Sequence, residues 1–349
     1  MKKRNAVFVG CDLGDKFSEI CVLDQVGAVL ARERVRTTNS GLTKVVAHYA
    51  SSVVVIEVGV HSRWVEELFR SLGHRVVVAN PRQVRLIWKR RLKTDRSDAM
   101  LLARLGRVDL TLLAPVQQRG RDAQLDLVAL RSRDILVRSR TRLINHVRGV
   151  LKQFGLRVRT CGSSAFAKHA NEVVPIDLMP ALEPALRSLH ELDEQITVHD
   201  RQIDELAAAS PTAQHLMQVT GVGALTALAF CLTIDDPHRF KRSRLVGAFL
   251  GLTPAKDQSG ESDPEKHISK AGNPFLRRLL VQSAQHILGP CGRESDLRTW
   301  GKKLVARGGQ AATKRAIVAV ARKLAVLLHR LWVTGEAYDP QHYSRCLAA

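Results

Sequence analysis

The sequence predicts an α/β fold at the N-terminus and a mostly α-helical remainder. Short apolar runs separated by turn residues alternate with helical patterns over roughly the first hundred residues, and helical periodicity dominates afterwards. A length of 349 residues suits two or so domains with a core in each. We therefore divide the chain into an α/β domain at 1–110, a linker with coiled-coil helices at 111–210, and a helical domain at 211–349.

The N-terminal strands are predicted from apolar and β-branched runs bounded by turn residues. They are Ala6–Cys11, Ser18–Asp24, Ala28–Val35, Val53–Ile56 and Val76–Ala79. Helical spacing over Trp64–Leu72 separates the last two strands, which predicts a parallel βαβ unit. A further helix is predicted over Thr94–Gly106.

Two long amphipathic helices are predicted in the middle of the chain, at Asp122–Phe154 and Leu182–Ala209. Their apolar stripes predict an antiparallel coiled-coil arm, and the stripes are wide enough to pair protomers as well. The segment Cys161–Pro180 between them is interpreted as irregular. The last predicted helix is Thr313–Trp332.

The composition points to a polyanionic partner, because the formal net charge is +21 and the pI is about 10.4. Basic residues are spread over the whole chain, which favours nucleic acid over a membrane surface. The six cysteines have no zinc-site spacing and are interpreted as reduced thiols of a cytoplasmic protein. No signal peptide and no membrane span are expected.

Four carboxylates have the placement of a metal site: Asp12, Glu57, Asp95 and Asp98. The first two end predicted strands, where sites form in open α/β sheets, and the other two share one face of a helix start. Such a set can hold Mg²⁺ or Mn²⁺ for attack on a phosphodiester. Taken singly, each could be a helix cap or a solvated turn, and Asp15 is an alternative to Asp12. The surrounding cations favour a site that also binds nucleic acid, and they are Arg90, Arg91, Lys93 and Arg96.

The segment TGVGALTALA at 220–229 has the pattern of a helix-hairpin-helix. Its glycines, Gly221 and Gly223, precede a helix of small residues whose N-terminal N–H groups can bind a phosphate. A tight turn between two packed helices is the plainer interpretation.

A polar loop rich in glycine and serine spans 251–280 and contains Ser259. A serine among cations such as Lys270, Arg277 and Arg278 can act as a nucleophile toward phosphate. Loop serines are common, however, and the residues alone identify no base for it.

These motifs together resemble those of the Piv-like DEDD transposases of bacterial insertion sequences, the IS110 family of bridge-RNA-guided recombinases. The resemblance covers almost the whole chain. It rests on GCDLGDK, VVVIEVG, LKTDRSDAMLLA, TGVGALTALA, FLGLTPAKDQSG, ISKAGNPFLRRLL and KRAIVAVARKLA. One departure is GVHSRW after Glu57, where relatives commonly have Thr-Gly.

The resemblance implies a RuvC-like, ribonuclease-H-type N-terminal domain whose acidic tetrad is Asp12, Glu57, Asp95 and Asp98. It implies a coiled-coil region and then a transposase domain with Ser259 as the catalytic serine. Strands would be cut and rejoined through a phosphoserine and a Holliday-junction-like intermediate. A structured bridge RNA would pair with donor and target DNA. The protein would act as a homo-oligomer in which the tetrad of one protomer meets the serine of another. From the apolar stripes of the two long helices we expect a dimer that becomes a tetramer on DNA.

Three other functions are compatible with part of the sequence. A metal-dependent endonuclease that resolves junctions by hydrolysis needs the tetrad but not the serine. An actin-like ATPase would share GCDLGDK but needs a second glycine-rich phosphate loop, which we do not find. A non-catalytic nucleic-acid-binding protein explains the charge but not the tetrad.

Overall fold

The computed structural model describes residues 6–49, 51–81, 95–258, 264, 266–309 and 311–342. The chain divides into two compact units, Met1–Arg119 and Gly120–Ala349. Among the helices described, none is both long enough and apolar enough to cross a membrane.

The first unit contains one mixed sheet of five strands, in the order β3-β2-β1-β4-β5. The strands are β1 Phe8–Asp12, β2 Phe17–Leu23, β3 Val29–Arg36, β4 Val53–Glu57 and β5 Arg75–Ala79. β1, β2 and β3 pair antiparallel, whereas β1 pairs parallel with β4 and β4 with β5. The predicted parallel βαβ unit is therefore confirmed.

In the described part of this unit, three helices cover the sheet: α1 Asn39–Val46, α2 Ser62–Ser71 and α3 Asp95–Val108. α1 and α2 cover the face that carries Val9 and Ile56. α3 covers the opposite face, where Ala99 and Ala103 pack against β2 and Leu101, Leu102 and Leu105 against β4 and β5. A 3₁₀ helix at Leu110–Leu113 follows.

Helix α1 was not predicted from the sequence. Its signals are present, since the Thr38 hydroxyl caps it by accepting from the Gly41 N–H, and Leu42, Val45 and Val46 are buried at helical spacing. The segment predicted as a linker is also partly ordered on the sheet: the Val116 N–H donates to the Val78 carbonyl at 2.8 Å.

The second unit is helical in its described residues. Its helices are α4 Arg121–Gln153, α5 Phe166–Asn171, α6 Met179–Ala209, α7 Pro211–Met217, α8 Ala224–Ile234, α9 Arg244–Phe249, α10 Pro274–Leu288, α11 Asp296–Ala306 and α12 Ala312–Thr334, with a 3₁₀ helix at Pro237–Arg239.

The two long helices, α4 and α6, pack against each other in opposite directions. Arg133 pairs with Asp200, whereas Arg140, seven positions later, pairs with Asp193, seven positions earlier. One end of the pair joins the core formed by α7, α8, α10 and α12. The other end carries a smaller core of its own.

The segment Cys161–Pro180 differs from the sequence interpretation. It contains α5, and α6 begins at Met179 instead of Leu182. Phe166 and Ala170 of α5 are fully buried at the outer end of the α4–α6 pair, and this burial stabilises a helix too short to form alone.

Candidate functional site

Asp12 and Glu57 lie side by side at the end of two neighbouring parallel strands. Cys11 of β1 is in register with Ile56 of β4, so the residue that follows each is its neighbour across the ladder. Side chains alternate between the faces of a sheet. Because Cys11 and Ile56 belong to the core under α1 and α2, Asp12 and Glu57 lie on the face that α3 covers. Both are half-buried.

Helix α3 approaches this face at Gly10. A Cβ atom at Gly10 would lie 2.0 Å from the Ala99 carbonyl oxygen and 2.4 Å from the Ala103 nitrogen. Only glycine permits this approach of helix to strand. The first turn of α3 contains Asp95 and Asp98, and Asp98 immediately precedes Ala99. The fold thus brings all four predicted carboxylates to one end of one sheet face, with Asp95 exposed and Asp98 half-buried.

A fifth carboxylate, Glu19, belongs to the same end of the sheet and was missed from the sequence. It stands opposite Asp12 in the β1–β2 register and is therefore on the same face. Its oxygens lie 3.5 Å from Arg34 and 3.8 Å from Arg96. Two cations thus offset the Glu19 charge, and Arg96, predicted to bind nucleic acid, has a protein partner. The hairpin register was the signal that could have located Glu19.

The loops after β1 and β4 are joined by Asp15 and His61. His61 Nε2 lies 3.5 Å from Asp15 Oδ1, and the Trp64 Nε1–H donates to His61 Nδ1 at 3.1 Å. Both His61 and Trp64 belong to GVHSRW, the segment that departs from the family pattern. The Asp15 side chain is 91% exposed. Asp15 is therefore part of a loop contact, which favours Asp12 as the residue of the tetrad.

The carboxylate oxygens at this site are suitable metal ligands, but the described side chains do not form a complete coordination group. Carboxylate oxygens are the ligands that Mg²⁺ and Mn²⁺ prefer. Among the residues the structure describes, no three His, Cys, Asp or Glu side chains converge as a metal-binding group. The neighbouring Cys11 lies in the core on the opposite face of the sheet, where burial and the adjacent Asp12 charge raise its thiol pKa. Arg90, Arg91 and Lys93 lie outside the described residues.

The TGVGALTALA segment forms a turn between α7 and α8. Gly221 has φ +85°, and a Cβ there would lie 2.9 Å from Ile287 Cγ1 and 3.2 Å from the Ser283 carbonyl oxygen of α10. Gly221 is therefore required by packing. Gly223 precedes α8, is exposed, and has open space where a Cβ would be. Of the two, Gly223 is the one whose surroundings admit a phosphate.

Ser259 lies outside the described residues, whereas its flanks are described. Pro254 and Ile268 form an antiparallel bridge, and the Ala255 N–H donates to the His267 carbonyl at 3.0 Å. The segments before and after the predicted nucleophile thus pair with each other in antiparallel fashion.

The three cations predicted near the serine differ in their contacts. Arg277 Nη1 donates to the Leu250 carbonyl at 2.9 Å. Arg278 pairs with Asp134 of α4 and lies over the Phe275 ring. Lys270 is exposed and has φ +52°. Arg277 and Arg278 thus hold α10 in place, and Lys270 extends into solvent.

Comparisons with known proteins show which family the chain belongs to. A family model described as "Transposase IS116/IS110/IS902 family" matches residues 213–299, and a model for IS110-type DEDD transposases, described as "Transposase", matches residues 9–155. The transposase for insertion sequence element IS1111A of Coxiella burnetii is 31% identical over 347 residues, 95% of this chain and 90% of the relative. The chain belongs to the IS110 family of insertion-sequence transposases. As a transposase it is a DNA recombinase.

Two further relatives show how wide the family is. The transposase for insertion sequence element IS1328 of Yersinia enterocolitica is 30% identical, over 80% of this chain and 84% of its own. The pilin gene-inverting protein of Moraxella bovis is 25% identical, over 84% of each chain. In this transposase the matched region 9–155 contains the four carboxylates, and the matched region 213–299 contains the glycine turn and Ser259.

Proposed function

We propose that this transposase cuts and rejoins donor and target DNA with an acidic tetrad and a serine nucleophile. The tetrad is Asp12, Glu57, Asp95 and Asp98, and the nucleophile is Ser259. The observation that carries the proposal is the shared placement of Asp12, Glu57 and the first turn of α3 on one sheet face. Four carboxylates at one place repel one another unless cations neutralise them, which is the arrangement expected of a cation site.

The tetrad is proposed to hold Mg²⁺ or Mn²⁺, which suits its oxygen donors and is typical of DEDD nuclease-like transposases. A bound divalent cation polarises the scissile phosphate and offsets the charge that develops on its oxygens. Asp12 and Glu57 are half-buried on rigid strands, so their carboxylates are held in place before the substrate binds.

Ser259 is proposed to conserve the energy of the phosphodiester bond. Its oxygen forms a bond to phosphorus while a phosphorus–oxygen bond of the DNA breaks, leaving a phosphoserine and a free DNA hydroxyl. A hydroxyl of the exchanged strand then attacks the phosphoserine, releases the serine and rejoins the DNA. Because one ester replaces another at each step, strand exchange requires no ATP.

The proposed partners are donor DNA, target DNA and a structured bridge RNA that pairs with both, as the family resemblance implies. The enzyme is proposed to work as a dimer that becomes a tetramer on DNA, with the tetrad of one protomer acting with the serine of another. Apolar side chains left exposed on α4 support pairing through the long helices: Leu125, Val128 and Ile135 are 58%, 50% and 59% exposed.

Hydrolytic junction resolution is the second candidate, because the tetrad alone would support it. The two functions differ in the product. A serine mechanism leaves protein attached to DNA, whereas hydrolysis leaves free ends.

The deciding experiment is covalent trapping with labelled DNA that carries the element's ends, in the presence of the RNA and Mg²⁺. Denatured wild-type protein should retain the label, and Ser259→Ala should not. Asp12→Asn should retain none, while Asp15→Asn, the same change three positions away, should trap DNA normally. A Ser259→Ala protein that still cuts would favour hydrolysis, and a link that maps to Ser262 or Ser269 would contradict the choice of serine.

A further inference from the structure

The segment 237–244 joins α8 to α9 and is strongly basic; we call it the basic loop. It contains no acidic residue, and its basic side chains all belong to exposed residues, namely His238, Arg239, Lys241, Arg242 and Arg244. With the histidine neutral, four positive charges lie within six residues. None of the predicted nucleic-acid contacts falls in it.

A strained turn sets the start of the basic loop. Asp235, at the end of α8, has φ +67° and ψ −74°, a γ-turn conformation that is rare and costly for a residue other than glycine. The Asp236 carboxylate then accepts from the His238 N–H at 2.8 Å and caps the 3₁₀ helix. Strain of this kind persists only where surrounding contacts hold the chain in one conformation.

A buried histidine of α12 holds both ends of the loop. His329 Nε2 lies 2.8 Å from the Pro237 carbonyl oxygen, and Nδ1 lies 3.0 Å from Ser243 Oγ. His329 is only 1% exposed, and its ring stacks edge-on against Phe240 at 5.5 Å. The neutral ring donates from Nε2 and accepts at Nδ1, so one side chain ties the loop at two points six residues apart.

Arg239 is held by aromatic rings instead of by an acid. Its guanidinium lies 5.2 Å from the Phe240 ring centre and 4.9 Å from that of Phe249, and it also approaches the Ile234 carbonyl at 3.5 Å. Stacking orients the guanidinium without neutralising its charge.

The other three cations have no carboxylate partner within the described part of the chain: Lys241, Arg242 and Arg244 form no ion pair there. The arginine-rich helix α4 is only partly compensated in the same described residues. Its Arg133 and Arg140 are paired with acids of α6, and Arg138 with Asp134, whereas its other arginines form no ion pair there. The positive charge of the basic loop is thus left for an external anion.

We infer that the basic loop is an anchor for the phosphate backbone of a nucleic acid. His329 holds the loop backbone at two points, so less backbone entropy is lost when phosphates bind than in an untethered loop. The basic loop offers Lys and Arg, whose positive charges are the usual partners of backbone phosphates. The inference rests on the proposed function to the extent that the ligand is the substrate DNA or the guide RNA. Both carry the same phosphodiester chemistry.

The test is the salt dependence of binding, measured with a random-sequence DNA duplex and, separately, with an RNA hairpin. The variant is Lys241→Gln/Arg242→Gln. The control is Arg187→Gln/Arg201→Gln, which removes the same charge from exposed positions of α6. Each lost phosphate contact on a duplex reduces the magnitude of the slope of log K against log salt by about 0.9, so the loss of two reduces it by about 1.8. The ratio of the affinity at 0.1 M salt to that at 1 M salt should therefore be about 60-fold smaller for the variant than for wild type.

A lowered slope with DNA alone, RNA alone or both supports the anchor and shows which nucleic acid uses it. An unchanged slope with both probes, in a variant that melts like wild type, overturns it. Binding is measured in EDTA, where no strand is cut. A failure of covalent trapping by wild-type protein would overturn the proposed serine mechanism and leave this result unaffected.

Discussion

The close contact between α3 and β1 at Gly10 provides a direct test of how the tetrad is assembled. Gly10→Ala adds one methyl group where the Ala99 carbonyl oxygen would be 2.0 Å away. Because the neighbouring atoms are backbone, no side-chain rotation can relieve the overlap. Helix α3 must move away from the strand, and Asp95 and Asp98 move with it.

The size of the effect follows from that distance. Ordinary van der Waals contact begins at 3.4 Å, so α3 must shift by at least 1.4 Å at this point. Overpacking of this kind costs about 1–3 kcal/mol of unfolding free energy. A displacement of about 1 Å at a catalytic group costs about 100-fold in rate. We expect Gly10→Ala to lose activity by about 100-fold or more while the protein still folds.

The assay combines urea unfolding with cleavage of DNA that carries the element's ends. Gly149→Ala is the matched control, because Gly149 is exposed within α4 and has no atom within 4 Å of an added Cβ. That variant should gain up to about 1 kcal/mol from helix propensity and keep its activity. Wild-type cleavage by Gly10→Ala would refute the proposal that α3 places Asp95 and Asp98 against Asp12 and Glu57.

Two further predictions concern stability and assembly. Burial lowers the pKa of His74 and of His329 below 6.5. The unfolded chain therefore takes up protons that the folded protein does not, and the free energy of unfolding should decrease as the pH falls below about 6.5. Urea midpoints should therefore fall between about pH 7.5 and 5.5, and His329→Gln should flatten the dependence; an equally steep profile in that variant would contradict the assignment. Leu125→Ser/Ile135→Ser should lower the oligomer mass in light scattering, whereas Ile176→Ser, a 92% exposed apolar residue outside the helices, should not. A double variant that keeps the wild-type mass would exclude pairing through α4.

Much of the α/β unit was predictable because its signals are local. β-Branched runs that end in Asp12 and Glu57 fix the strand ends, and the helix between β4 and β5 fixes their parallel pairing. The approach of α3 was not predictable, since Gly10 contacts a residue almost ninety positions away. The pairing of Glu19 with Asp12 is local, and it was missed because the register of the β1–β2 hairpin was not worked out from the sequence.

The basic residues show the same limit more sharply. From composition alone α4 would be expected to bind nucleic acid, because it contains seven arginines from Arg121 to Arg148. Yet Arg133 and Arg140 each contact an acid more than fifty residues away, and Arg148 lies 4.9 Å from the centre of the Phe166 ring. An arginine that already has an acidic partner must lose that partner, or share it, before it can bind a phosphate.

The net charge of a chain therefore indicates that a polyanion binds. Which cations remain without an acidic partner indicates where on the chain it binds. By that criterion the short basic loop is better suited to bind phosphates than Arg133, Arg138 and Arg140 of the arginine-rich helix, whose charges are offset by acids. The charges of the loop are exposed and free of carboxylate partners within the described chain, and His329 holds the backbone that carries them at two points. Uncompensated charge on a tethered backbone favours binding to phosphates, because no ion pair must be broken first and less backbone entropy is lost on contact.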